Sequence, residues 1–211
     1  MVWTGVNWAG LVLMAYLIGS LPTAYLLGRW LRGVDIRTLG DGNMGAGNAY
    51  HVLGRRVGVA VAVVDAAKGT LAAFVAKQIA DGALPPMAAG MATVAGHNWP
   101  FFLQFRGGRG AASALGTLLF ILPRAAFPLG LLAFIPLFIT RSTTVALTFV
   151  FIPLPLVAWL TGASYMQIGY AGVLPITVGV SHLFSIKRPA FAGEVGAAGA
   201  ATEEWRSSGS P

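Results

Sequence analysis

The chain has 211 residues, 56% of them hydrophobic and only 10% charged, with a net charge of +7 and no cysteine. A charged share that far below the roughly 25% of an ordinary soluble domain points to a membrane protein. The missing cysteine excludes disulfides, thiolate nucleophiles and cysteine-ligated metals. The positive charge is scattered through short links between apolar runs, which argues against nucleic acid as a partner and for an anionic small substrate or anionic lipid.

The first apolar run, WAGLVLMAYLIGSLPTAYLLG at 8–28, has the about 20 residues needed to cross a bilayer as helix. It is longer than the roughly 7–15 residues of a signal-peptide core, no basic residue precedes it, and no small-x-small site follows before Arg29. It is therefore expected to stay in the mature protein. Pro22 is expected to kink it, and Ser20 and Thr23 to back-bond to helix carbonyls.

The next link, DIRTLGDGNMGAGNAYHVLG at 35–54, repeats a Gly-x-Gly-Asn tetrad at five-residue spacing. Gly40, Gly42, Gly45 and Gly47 permit positive φ, so that successive N–H groups can face one concavity and bind an anion such as phosphate, with Arg32 and Arg37 as counter-charges. The same composition also makes a plain flexible link.

A second span at 57–80 carries Asp65 and Lys68, three residues apart and so on one helix face. Asp65 lies about 13 Å beyond the helix start, well inside the hydrocarbon. Charge there costs at least roughly 2.5–3.5 kcal/mol per residue and usually faces a bundle interior. A structural ion pair is expected for Asp65, with Lys68 also reaching toward a substrate cavity.

A third span is predicted at 85–105 and includes His97. The stretch FRGGRGAAS at 105–113 then opens the next helix; it reads either as a second phosphate site, built from helix-start amides and the Arg109 guanidinium, or as a positive-inside anchor with a loop break. Further spans are predicted at 110–122, 125–139, 142–160 and 164–185. The fourth and fifth are short, so they are tilted, partial, or one kinked hairpin around LPRAAFP. Trp30, Trp99, Trp159 and Trp205 read as interfacial or packing aromatics. His51, His97 and His182 match no zinc-ligand spacing, so no metal is expected. Residues 1–188 read as a single membrane domain and 189–211 as a loosely attached cytosolic tail.

Basic residues concentrate in short cytoplasmic loops. With the N-terminus outside, Arg29, Arg32, Arg37, Arg55, Arg56, Arg106, Arg109, Arg141, Lys187, Arg188 and Arg206 fall inside, and only Lys77 and Arg124 outside. The expected fold class is thus all-α: a polytopic membrane helix bundle of about seven transmembrane helices, N-out and C-in. Both glycine loops and His182 then share the cytoplasmic face.

The order GS-x-P, DIR-x-x-G-x-G-N-x-G-A-x-N, D-x-x-K-G, G-H-x-x-P, G-G-[KR]-G and H-x-x-x-I-x-R, running from Gly19 to Glu194, resembles the bacterial integral-membrane acyl-phosphate:glycerol-3-phosphate acyltransferases. The resemblance implies a seven-helix bundle in the bacterial cytoplasmic (inner) membrane with its site on the cytoplasmic face. It also implies acyl transfer from acyl phosphate to the 1-hydroxyl of sn-glycerol 3-phosphate, giving lysophosphatidic acid and phosphate, without a cofactor and with membrane lipids around it. An acyl phosphate is a mixed anhydride with a good leaving group, so positioning and electrostatics suffice without a protein nucleophile.

Carried onto this chain, the resemblance makes Arg37, Lys68, Arg109 and His182 the catalytic set. Gly40, Asp41, Gly42, Asn43, Gly45, Asn48, His97, Gly107, Gly108, Gly110 and Ser185 become the substrate-binding set. Arg37, Arg109 and loop amides would hold the two phosphates, His182 would orient substrate, and His97 would hold a loop. The donor's own phosphate would take the acceptor proton. The oligomeric state has no sequence signal.

The chain departs from the family pattern at Asp41 (usually Ser), Gly47 (Thr), His51 (Arg), Arg109 (Lys) and Ser185 (Asn). Arg109 keeps the charge as a planar fork rather than a point. Asp41 would oppose a phosphate about 4 Å away by roughly 4 kcal/mol per unit charge at an effective dielectric of 20, unless it pairs with Arg37 or a neighbouring base. The second reading of the sequence is a family-fold protein without the activity that binds or moves an anionic lipid or phosphometabolite; the inverted repeats of a transporter are not visible.

Overall fold

The computed structural model describes residues 7–186, with side chains through Leu183. The expected tail at 189–211, with Trp205 and Arg206, lies outside the described residues, as do Lys187, Arg188 and the side chain of Ser185. Every described element is a helix: α1 (Trp8–Ser20), α2 (Thr23–Arg32), α3 (Ala46–Val52), α4 (Arg55–Ile79), α5 (Leu84–Asn98), α6 (Ala111–Ile121), α7 (Pro123–Leu132), α8 (Phe134–Thr140), α9 (Thr143–Phe151), α10 (Leu154–Leu160) and α11 (Tyr165–Ile186), with 3-10 turns at Ile36–Thr38 and Phe101–Leu103. Four stretches are long and apolar enough to cross a membrane, namely Trp8–Arg32, Arg55–Ile79, Pro123–Thr140 and Thr143–Leu160.

Prolines break three of the predicted runs. Pro22 lacks an N–H and keeps Leu21 out of the helical region (φ −61°, ψ 115°), so the first run divides into α1 and α2. The fifth run divides at Ala133 and the sixth at Ile152–Pro153. The third is shorter than predicted: α5 stops at Asn98, and Trp99–Pro100 starts an irregular segment where helix was expected to 105.

Small residues set the closest helix crossings, as in membrane bundles where backbones must approach. On the α1–α5 seam, Gly19 lies against the Thr93 carbonyl and Gly96 against the Tyr16 carbonyl, with no room for a Cβ at either. Thr93 Oγ1 donates across it to the Ala15 carbonyl at 3.2 Å, and Tyr16 OH to the Trp99 carbonyl at 2.6 Å. The α4–α6 seam repeats the device, with Gly69 on the Ser113 carbonyl and Gly116 on the Ala66 carbonyl. A larger core of Leu118, Val150, Leu154 and Leu174 joins α6 to α9, α10 and α11.

A candidate anion site at one end of the bundle

The link between α2 and α4 is folded over a core of its own. Ile36, Met44, Ala49 and Leu53 are buried against Ala24 and Val61, which decides between the two sequence readings: a flexible link would not bury these side chains. Its organiser is Asn48, almost fully buried in α3. Asn48 Nδ2 donates to the carbonyls of Ile36 (3.1 Å), Leu39 (2.9 Å) and Asn43 (3.0 Å), and its Oδ1 accepts from the Asp41 amide at 3.2 Å. Gly40 and Gly42 take positive φ, +61° and +69°, and a Cβ on Gly40 would collide with the Asn48 side chain.

The predicted nest is only partly built. Gly45 has φ −92° as the residue capping α3, and Gly47 lies within that helix. The Gly42 amide donates to the Leu39 carbonyl at 3.1 Å and the Asn43 amide to Asp41 Oδ1 at 3.0 Å. Gly40 and Gly42 turn the chain, and the Gly42 and Asn43 amides are bonded within the loop.

Arg37 is held within the link. Its backbone N–H and Nε donate to Asp35 Oδ1 at 3.0 Å each and its Nη2 to Oδ2 at 2.6 Å, while its guanidinium lies 5.1 Å from the centre of the Tyr25 ring. Arg29 approaches the same carboxylate at 3.8 Å. Burial pushes the Asp35 carboxyl up, but the Arg37 hydrogen bonds and the charges of Arg37 and Arg29 outweigh it and hold it below the ordinary carboxylate value.

The second glycine loop folds back onto the end of α5. The amides of Gly107 and Gly108 donate to the carbonyls of Asn98 (3.1 Å) and His97 (3.0 Å), and a Cβ at Gly108 would strike the His97 imidazole. The expectation that these two amides face a phosphate is thus corrected; glycine stands here because the loop packs on His97 and Pro100. His97 packs directly against this loop at Gly108. Gly110, at φ +72°, caps α6 against Asn98.

The two loops meet at Asp41 and Arg109, whose Nη2 donates to Asp41 Oδ2 at 3.1 Å. Between the two partners foreseen for Asp41, Arg37 or a neighbouring base, the fold selects Arg109. From α11, Ser181 Oγ donates to the Arg109 carbonyl at 3.0 Å, and the neighbouring His182 is partly exposed within electrostatic reach of both Arg109 and Asp41. Three segments far apart in sequence thereby share one end of the bundle. Around them several buried polar atoms have no protein partner: Arg109 Nε, both amide atoms of Asn98, Ser113 Oγ and Asn43 Oδ1. Buried groups of this kind are normally hydrogen-bonded, so the cluster is polar in a way that suits an oxygen-rich ligand.

Asn98 and Ser113 were missed in the sequence, as was Ser181. The available signals were a polar residue ending an apolar helix just before Trp-Pro, and a serine one turn after Arg109.

Lys68 forms the expected ion pair with Asp65. Its ammonium is buried and donates to the Leu21 carbonyl, to Thr23 Oγ1 and to Asp65 Oδ1, the last at 2.7 Å. All three donors have protein acceptors at the break between α1 and α2. Asp65 also accepts from Thr23 at 2.8 Å and lies 3.9 Å from His97 Nδ1. Among the described residues no group of three His, Asp or Glu is placed to hold a metal.

A family model for glycerol-3-phosphate acyltransferase matches residues 9–191. Glycerol-3-phosphate acyltransferase 4 of Dehalococcoides mccartyi is 43% identical over 179 residues, 84% of this chain and 96% of that protein. The glycerol-3-phosphate acyltransferase of Myxococcus xanthus is 47% identical over 119 residues, 56% of this chain and 62% of that protein. The crystal structure of PlsY (YgiH), an integral membrane glycerol 3-phosphate acyltransferase, superposes in its glycerol 3-phosphate form with a TM-score of 0.77 at 31% identity, covering 87% of this chain and 92% of that one. Its lysophosphatidic acid form superposes with a TM-score of 0.75. The chain is a multi-pass integral membrane protein and belongs to the glycerol-3-phosphate acyltransferase family.

Proposed function

We propose that this protein transfers a fatty acyl group from acyl phosphate to the 1-hydroxyl of sn-glycerol 3-phosphate, releasing lysophosphatidic acid and inorganic phosphate at the cytoplasmic face of the bacterial inner membrane. The observation that carries the reading is the meeting of Asp41 and Arg109, from the two glycine loops, at one bundle end where α11 is joined by the Ser181–Arg109 hydrogen bond and brings His182 alongside. The solved relative in glycerol 3-phosphate and lysophosphatidic acid forms supports the acceptor and the product class. The excess of basic residues in the links at that end supports a cytoplasmic face.

In this reaction the acceptor oxygen attacks the acyl carbonyl carbon, a C–O ester bond forms, and the carbonyl–phosphate bond breaks. The departing phosphate takes the hydroxyl proton, so the protein's task is to place two anions and stabilise developing charge. Arg109 is the guanidinium placed for a substrate phosphate. Arg37, braced by Asp35, lends its field from the loop; His182 orients the acceptor; Asn48 and His97 hold the two loops. Asn43, Asn98 and Ser113 bring unpartnered polar atoms to the same end.

The test is turnover of the full chain in detergent with palmitoyl phosphate and glycerol 3-phosphate, read as phosphate release dependent on the acceptor. Release no greater than that of an Arg37→Ala, Arg109→Ala double variant would refute the assignment.

A further inference from the structure

Asp41 touches the Arg109 guanidinium, the proposed ligand of substrate phosphate, and it does so incompletely. The Nε and Nη2 of an arginine form a two-pronged edge that matches two oxygens of a carboxylate or phosphate. Here Nη2 meets Asp41 Oδ2 at 3.1 Å, while Arg109 Nε is buried without a protein partner. The other oxygen of Asp41 accepts the Asn43 amide at 3.0 Å and does not reach Nε. The carboxylate side chain is 48% exposed and the guanidinium 22% exposed, so the pair lies at the mouth of the site rather than in its interior.

We propose that Asp41 is an internal counter-anion of the phosphate site: its carboxylate holds the Arg109 edge that a substrate phosphate requires, so phosphate binds by exchange with it and more weakly than it otherwise would. The inference rests on the reading of Arg109 as a phosphate ligand. Any anion that takes the Arg109 edge must first displace Asp41, and a phosphate fills both prongs when it does so. The residue thus lowers the affinity of the site by the cost of its own displacement. It also keeps Arg109 paired before substrate arrives, which limits the cost of a partly buried cation. Serine at this position, the residue the family pattern carries there, has no charge to exchange.

The experiment is calorimetric titration of the full chain in detergent with inorganic phosphate and, separately, acetate. Asp41→Asn retains an oxygen for the Asn43 amide and removes only the charge. It is expected to bind phosphate about tenfold more tightly, the low end of what a contacting unit charge does once solvent screening is allowed for. Acetate affinity is expected to rise as well, because both anions are relieved of the same internal competitor. Asp41→Glu, which keeps the charge, should bind phosphate as weakly as the parent. Should Asp41→Asn not fold, Asp41→Ser serves the same comparison.

Phosphate affinity unchanged or lowered in the neutral variant would overturn the proposal, because a residue that merely shapes the turn predicts that result. Unchanged phosphate binding in Arg109→Ala would overturn it too. Neither titration involves donor or turnover. A chain that tightens on phosphate in Asp41→Asn yet releases none from palmitoyl phosphate would keep the exchange at Arg109 and lose acyl transfer.

Discussion

At the scale of single residues, the loop that carries Arg37 owes its shape to two side chains that hold backbone rather than substrate. Asn48 gathers four backbone groups from Ile36 to Asn43, and Asp35 pins both the amide and the guanidinium of Arg37. The Asp35 carboxyl titrates below its ordinary value of 3.8 in the folded chain. A carboxyl with a depressed folded value stabilises fully above its unfolded value and loses that contribution as pH falls through the folded one. Thermal stability in detergent should therefore drop below pH 3.8. Asp35→Asn should lose about 1–3 kcal/mol at pH 7, as for a hydrogen bond to a charged group, and should flatten that acid limb. An acid limb as steep in Asp35→Asn as in the parent would assign it to another group.

At the scale of elements, the buried Asp65–Lys68 pair is explained by a broken helix. Pro22 breaks the first apolar run, so the Leu21 carbonyl accepts no helical amide and takes the Thr23 amide at 3.1 Å instead. Lys68 adds a second donor to it from α4, and Thr23 links both charges. Lysine at this depth therefore belongs to the joint between α1 and α2, and the nearby His97–Asp65 approach connects the joint to the second glycine loop. Lys68→Ala would leave Asp65 buried and uncompensated, with an expected cost of about 3–5 kcal/mol. Asp65→Asn combined with Lys68→Met should recover part of it. Equal melting temperatures for parent and Lys68→Ala would show that the pair does not hold the joint.

At the scale of the whole molecule, α1 and α5 run parallel. Trp8 and Leu84 line one end of the bundle beside Met166, while Tyr16 bonds Trp99 toward the other. The N-out proposal puts Asp81 outside and Arg141 inside. Because the chain has no cysteine, Asp81→Cys and Arg141→Cys each introduce a unique thiol. A membrane-impermeant maleimide applied to intact cells should label the first and spare the second; the reverse pattern would invert the topology.

The legible part of this protein is the part that local physics decides. Hydrophobicity adds residue by residue along a run, so the apolar segments, the proline breaks and the polar links can be read without knowing what any residue touches. The family motifs add which links carry the site. Pairings are another matter, because each joins residues far apart in sequence: Thr23 with Asp65, Asp41 with Arg109, Ser181 with the Arg109 carbonyl. Asp41 had two candidate cations. The glycines of 107–108 had amides to offer or a histidine to pack upon. In each case both choices have compatible local chemistry. Only the packing of α2, α4, α6 and α11 brings one partner within hydrogen-bonding distance, and a buried charge or amide takes the partner that removes its desolvation cost.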